Sequence, residues 1–249
     1  MKILALETTG KYGSAAVIDD EGRVFSAASE GEMNHLKDVI IISESALDAS
    51  GTDKKELTHV AASAGPGSFT GIRIGVTTAR TIAQMLGIPC VAVSSLEAMA
   101  YNAAEAAAEQ NCDIIAAAIN ARRHQTYAGV WKLVNGELEL LFEERQYMIE
   151  ELLEKLDGMK VFFVGDGIDA YGELIRNAEG LMRCEFADED IRYQSAGPVA
   201  ELARRTVLNG EELEYEKLLP DYMRLSEAEQ RLKEGTLSDK IKQLRSAKN

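Results

Sequence analysis

Several ingredients of common active sites are scarce in this chain of 249 residues, which has three histidines, three cysteines, four prolines and one tryptophan. Cys90, Cys112 and Cys184 lie far apart and form no CxxC, which argues against zinc-ribbon and dithiol redox motifs and fits reduced thiols. The histidines His35, His59 and His124 make no HxxH or HxxxH pair. A second metal ligand one turn after His35 would have to be residue 39, which is a valine. The G-x-S-x-G of a serine-hydrolase elbow is missing. Basic residues are outnumbered, 27 against 41 acidic, for a formal net charge of −14. Such a chain repels polyanions on average, so contact with nucleic acid is expected only through a partner. No stretch approaches the ~20 apolar residues that span a bilayer. The N-terminal MKILALETTG carries an acid inside its short apolar run, unlike a signal peptide. A soluble cytoplasmic protein with no membrane association is expected.

What is present is an ordinary globular composition, 46% hydrophobic and 27% charged. Strands are expected at 2–8, 12–19 and 23–29, the latter two joined by a DDEG turn. A helix follows at 34–50, then a strand at 58–63, a long helix at 69–86 ending at Gly87, a strand at 90–93 and an alanine-rich helix at 95–109. The second half has the same character. A buried strand at 112–120 precedes a hairpin at 125–142 with an Asn135-Gly136 turn, a helix near 148–156, a strand–turn–helix at 159–175 and a helix at 195–209. The pattern predicts a duplicated α/β architecture: one lobe over 1–108, a second over 109–225, and a polar tail over 226–249. That tail holds six Lys/Arg and four Asp/Glu, and a solvent-exposed helix or flexible end explains it without further function.

The two helices of the first half are unusually apolar. On 34–50, Leu36, Val39, Ile40, Ser43 and Leu47 share one face at the 3.6-residue period and are expected to be buried. Ile41 and Ile42 fall outside that stripe. They are either scattered surface residues or contacts with another subunit. On 69–86, Gly71, Gly75, Ala79 and Ala83 line up at i+4 spacing. Glycine in a helix interior costs up to ~1 kcal/mol relative to alanine, so such a ladder usually serves close backbone approach. Ile72 and Thr78 flank it. Together these residues predict a surface for a helix of a second chain, on which Gly75→Leu would block association without unfolding.

The loop AGPGSFTG at 64–71 raises the question of a phosphate site. It lacks both G-x-x-x-x-G-K-[ST] and G-x-G-x-x-G. An anion could still sit at the helix start near Ser68 and Arg73. Glu7, ending the first strand, either serves a cofactor or bonds local backbone. Gly165-Asp166-Gly167 either faces an interlobe ligand or is simply a turn.

MKILALETT, His35 at the first helix, SAGPGSFTGIRIGVTTARTIAQMLGIPCVAVSSLEAMA at 63–100, NARRHQTYAGVW at 120–131, VGDGIDAY at 164–171 and PDYMR at 220–224 together closely resemble the TsaB (YeaZ) family of tRNA threonylcarbamoyladenosine biosynthesis proteins. The resemblance implies a two-lobed fold of the acetate kinase, Hsp70 and actin type, with ribonuclease H-like lobes. It implies a non-catalytic, metal-free paralogue of TsaD, the enzyme that modifies adenosine 37 of tRNAs reading ANN codons. The family partner surface is built from the first two helices. TsaE joins the assembly, ATP or ADP can sit at the TsaD interface, and a homodimer forms through the same surface when TsaD is absent. Glu7 stands where the family usually has Asp, Asn120 replaces another Asp, and His124-Gln125-Thr126 replaces Gly-Glu-Val. An ATP-dependent small-molecule kinase on the same fold is the alternative.

Overall fold

A computed structural model of the chain describes residues 1–29, 31 and 35–223. The expected tail at 226–249 lies outside them. Among the described residues ten strands form two five-stranded sheets. In the first, β1 (Ile3–Glu7) pairs antiparallel with β2 (Ser14–Ile18), which pairs antiparallel with β3 (Val24–Ala28). On its other side β1 runs parallel to β4 (His59–Gly65), and β4 to β5 (Cys90–Ser94). The second sheet repeats this with β6 (Ile114–Arg122), β7 (Gln125–Val134), β8 (Glu137–Met148), β9 (Lys160–Val164) and β10 (Arg183–Phe186). Its order is β10-β9-β6-β7-β8, against β3-β2-β1-β4-β5, so each strand has a counterpart of the same direction. The duplicated two-lobed α/β fold is therefore present.

Local chemistry explains the hairpins. The Asp19 carboxylate accepts from the backbone N–H of Glu21 and Arg23, 2.9 Å each, and closes the β2–β3 turn. Asn135 and Gly136 both take positive φ, 53° and 85°, as the tight turn between β7 and β8 requires.

Helices α1 (His35–Ser50) and α2 (Phe69–Leu86) cover one face of the first sheet. Period-2 alternation sends Leu4, Leu6, Val60 and Ala62 towards them, and Ile3, Ala5, Ala16 and Ala61 to the opposite face. That opposite face is covered by α7 (Ala196–Leu208), through Val199, Ala200 and Ala203. Helix α3 (Ser95–Glu109), from the first half of the chain, packs Leu96, Met99, Ala103 and Ala107 into the core of the second lobe. Each half thus lends a helix to the other's territory, which locks the lobes together. The Ser14 hydroxyl accepts the first N–H of α7 at 3.0 Å, and Ser94, capping α3, donates to Glu144 on β8 at 2.7 Å. The remaining helices, α4 (Ile149–Lys155), α5 (Gly167–Arg176) and the single turn α6 (Glu189–Arg192), belong to the second lobe. After α7 the chain returns to the first lobe. Leu218 is fully buried there, and the Asp221 N–H bonds the Ala64 carbonyl at 2.8 Å.

The small-residue ladder faces inward, contrary to expectation. Gly71, Ile72, Gly75, Ala79 and Ala83 are all buried in the chain's own core. A Cβ at Gly71 would lie 1.9 Å from the Thr8 carbonyl oxygen, and one at Gly75 would lie 2.5 Å from the Thr8 hydroxyl. The close approach is real, but its partner is the end of β1. On α1 the buried stripe is also rotated. Val39, Ile42, Ser43 and Ala46 are buried, whereas Leu36 and Ile40 are exposed with Ile41. Three successive isoleucines at 40–42 let two stripes fit the same period, and contact with β2 and β3 selects the one containing Ile42. Ser43 is accommodated inside because its hydroxyl donates to the Val39 carbonyl at 2.6 Å.

Gly71→Ala should therefore destabilise the protein by about 2 kcal/mol, because a backbone oxygen must move to admit one methyl. Gly75→Leu should disrupt the fold further instead of leaving it intact. Urea unfolding midpoints check both, and unchanged midpoints would mean that α2 does not rest on the Thr8 loop.

Candidate functional site

Two regions merit attention: the cleft between the lobes and the outer side of α1 and α2. The cleft, of about 860 Å³, opens where the carboxyl ends of β1 and β6 face each other. The starts of α2 and α5 point into it, and Thr9, Lys11, Ser68, Asn120, Arg122, Asp166 and Tyr193 line it. Of the residues expected to contact an anion or nucleotide, Ser68 and Asp166 reach this cleft, while Glu7, Arg73, Gly165 and Gly167 do not line it.

Each of these residues has local work. Glu7 is fully buried and turned into its own loop, where one carboxylate oxygen accepts from the Thr9 N–H at 2.5 Å and from the Thr9 hydroxyl at 2.6 Å. Burial pushes its pKa up against the opposing pull of hydrogen bonds from Thr9, Ser63 and Gly10. The local-backbone reading of Glu7 is the one realised. Ser68 caps α2 by accepting from the Gly71 N–H at 3.3 Å. Arg73 leaves the cleft. Its guanidinium lies 4.1 Å from the Phe69 ring centre, and its Nε donates to the Tyr222 hydroxyl at 2.8 Å. Phe69 and Tyr222 stack at 4.6 Å, so the arginine joins α2 to the segment that returns after α7. Gly165 and Gly167 lie against the Ala118 carbonyl, where a Cβ would meet oxygen at 2.2 and 2.8 Å. They are packing glycines. Asp166 accepts the Asn120 N–H at 2.9 Å, and burial raises its pKa.

These groups do not fit a magnesium nucleotide. The first-strand carboxylate is consumed by its own loop, and the start of α5, which would favour a phosphate, already carries the Asp166 carboxylate. Asp169 is engaged by Arg192 and by the Tyr193 hydroxyl, both at 2.8 Å. Lys11 lies over the Tyr12 and Tyr193 rings, 5.2 and 5.8 Å from their centres. Among the described residues no group of three His, Cys, Asp or Glu side chains comes together to hold a metal.

Sequence reasoning missed Lys11, Arg122, Tyr127, Tyr193 and Gln194 as cleft residues. A usable signal existed at one place. Arg122, Arg123 and His124 all take positive φ, 65°, 53° and 61°, in the reversal between β6 and β7. The departure from Gly at His124 thus falls where the backbone favours glycine.

The second region is the outward side of the two neighbouring helices. Leu36, Ile40 and Ile41 on α1 are 76%, 50% and 61% exposed, and Met85 on α2 is 81% exposed. Of the expected partner contacts, Ile41 lies on this side and Thr78 is partly exposed, while Ile42, Gly71, Ile72, Gly75, Ala79 and Ala83 are inside the chain. Leu36 and Ile40 were not among them, because periodicity alone gave α1 a different rotation, and Met85 of α2 was not among them either.

A duplicated sheet topology, a cleft at the strand ends and a pair of apolar helices define a duplicated two-lobed α/β protein. Comparison with known proteins places it more closely. The sequence model of the family described as TsaD, tRNA N6-adenosine threonylcarbamoyltransferase, matches residues 29–232. The tRNA threonylcarbamoyladenosine biosynthesis protein TsaB of Bacillus subtilis is 30% identical over 234 residues, which is 92% of this chain and 96% of that protein. The TsaB of Escherichia coli is 28% identical over 232 residues, 90% of this chain and 95% of its own length. The solved structure of YeaZ from Pseudomonas aeruginosa superposes with a TM-score of 0.74 at 29% identity, covering 89% of this chain and 99% of that one. The chain belongs to the TsaB family of tRNA threonylcarbamoyladenosine biosynthesis proteins. A threonylcarbamoyltransferase from Afipia carboxidovorans aligns over a shorter stretch, 32% identical over 120 residues and 34% of its length.

Glu7 provides a pH test. Its folded pKa is raised above 4.5, so the folded state is penalised relative to the unfolded chain as pH rises through the ordinary carboxylate range and beyond. Glu7→Gln keeps a carbonyl to accept the Thr9 bonds. It should be more stable than the parent at neutral pH, with the gain vanishing below about pH 4. Thermal melts of both proteins from pH 3.5 to 8 check this, and a pH-independent difference would contradict it.

Proposed function

We propose that this chain is a non-catalytic subunit that binds and activates TsaD for N6-threonylcarbamoylation of adenosine 37 in tRNAs reading ANN codons. The observation that carries the reading is the exposed apolar surface of α1, formed by Leu36, Ile40 and Ile41, with Met85 exposed on the neighbouring α2. Clustered large aliphatic side chains in water are what a protein interface removes from solvent. The same surface pairs two copies of the chain when TsaD is absent. TsaE enters through the assembled complex. The net charge of −14 supports a role in which tRNA is met by the complex and not by this chain alone, in the cytoplasm.

The alternative, an ATP-dependent small-molecule kinase, is less favoured by the cleft, where Asp166 accepts from the Asn120 backbone and Asp169 holds Arg192.

Ile41→Asp and Leu36→Glu should leave stability within about 0.5 kcal/mol, since both side chains are exposed. Either should abolish co-elution with TsaD on size exclusion and shift any homodimer to monomer. An unchanged complex with both variants would place the partner surface elsewhere.

A further inference from the structure

The last described residues fix where the rest of the chain leaves. Tyr222 stacks on Phe69 at 4.6 Å and its hydroxyl accepts from the Arg73 Nε at 2.8 Å, so the backbone departs at the first turns of α2. Helix α1 packs against α2. Each joins the end of one strand to the start of a parallel strand of the same sheet, so the two helices run in the same direction and Leu36 lies at the same end as Phe69. Packed helix axes lie about 10 Å apart, so residues 224–249 start close to the Leu36 end of α1. The exposed side of α1 has a graded pattern. Leu36, Ile40, Glu44 and Asp48 follow one another at i+4 spacing, all exposed, with Ile41 alongside. This row is apolar for its first two rungs and acidic for its last two. The end of the chain carries the matching pattern with opposite charge. In LSDKIKQLRSAKN, residues 237–249, Leu237, Ile241 and Arg245 follow at i+4, and Leu244 and Lys248 fall on the same side. Asp239 is the one acid there, against Lys240, Lys242, Arg245 and Lys248. This concentration of base sits in a chain of net charge −14 and beyond the residues that the family's sequence model matches.

We infer that residues 237–249 dock along the exposed side of α1 in the same chain, as a short amphipathic helix parallel to it. Leu237 and Ile241 lie over Leu36, Ile40 and Ile41, and Arg245 and Lys248 over Glu44 and Asp48. The direction follows from the exit point, because the segment arrives at the Leu36 end. The linker over 224–236 spans up to about 40 Å when extended, which is ample for the crossing. A helix this short is stable only when packed, and the α1 side supplies the packing. Tethering holds the segment at an effective concentration of about millimolar, so a few aliphatic contacts and two exposed ion pairs suffice to populate the docked form within one chain. The docked segment covers the face that the proposed function gives to TsaD, so TsaD must displace it. That consequence, unlike the docking itself, rests on the proposed function.

The test is a cysteine cross-link in the full chain. Ile40→Cys combined with Ile241→Cys should form an intramolecular disulfide under mild oxidation of dilute protein, read as a faster monomer band without reductant. Ile241→Cys combined with Glu173→Cys, at an exposed position on α5, should not, and Ile241→Cys alone corrects for the native thiols. Arg245→Glu should lower the yield at least threefold, and adding Glu44→Arg should restore it. Equal cross-linking of the two pairs overturns the docking, since it marks a segment that reaches everywhere. A disulfide found only between two chains overturns it in favour of exchange between copies, and charge reversal without rescue overturns the register. Removing residues 236–249 should tighten TsaD binding about tenfold when the docked form holds about nine-tenths of the molecules. A specific cross-link with unchanged TsaD affinity on truncation supports the docking and sinks the assignment of this face to TsaD. Absence of the cross-link sinks the docking whatever TsaD does.

Discussion

The contact between the end of β1 and the start of α2 governs much of the first lobe. The Thr8 hydroxyl donates to the Gly71 carbonyl at 2.7 Å, and the Thr8 backbone lies where any side chain at residue 71 would begin. Two backbones can come this close only if one of them has no Cβ. Once they do, the rotation of α2 is settled. Ile72 and Val76 enter the core, Arg73 and Met85 turn outward, and Ser68 is left at the mouth of the interlobe cleft. The glycines that look like an invitation to another helix are used within the chain, and exposed apolar side chains lie on other sides of the same helices.

Duplication explains the second feature. Both lobes carry the same sheet, and each first parallel crossover ends in a glycine-bearing turn facing the cleft. The symmetry is broken by the helices, because α3 and α7 each cross to cover the other lobe. Exchanged cover of this kind makes the two cores interdependent. It also leaves seams at the junction, and part-buried carboxylates such as Glu97 and Glu144 accumulate in one of them.

In and behind the cleft, three carboxylates are bonded within the chain. Glu7 closes its own loop, Asp166 holds the backbone of the opposing strand end, and Asp169 holds Arg192 and Tyr193. In a strongly acidic chain, an apolar surface is then the feature best suited to a specific partner. Charge keeps unlike-minded polyanions away, and aliphatic burial supplies the attraction.

The sequence by itself determined the element order, the hairpin turns at 19–22 and 135–136, the repeated α/β pattern and the family, because period, turn residues and the 63–100 block are local signals. The short β10 and the turn α6 were not legible, since four residues carry too little periodicity to stand out. Rotation about a helix axis was beyond it as well. Three adjacent isoleucines satisfy two different stripes, and a row of small residues reads alike whether it meets a strand end of its own chain or a helix of another. Only the packed structure decided those points, because they depend on what lies across the contact. The same holds for Glu7 and Arg73: residue type made them plausible ligands of an anion site, and the third dimension assigned one to its own loop and the other to an aromatic stack.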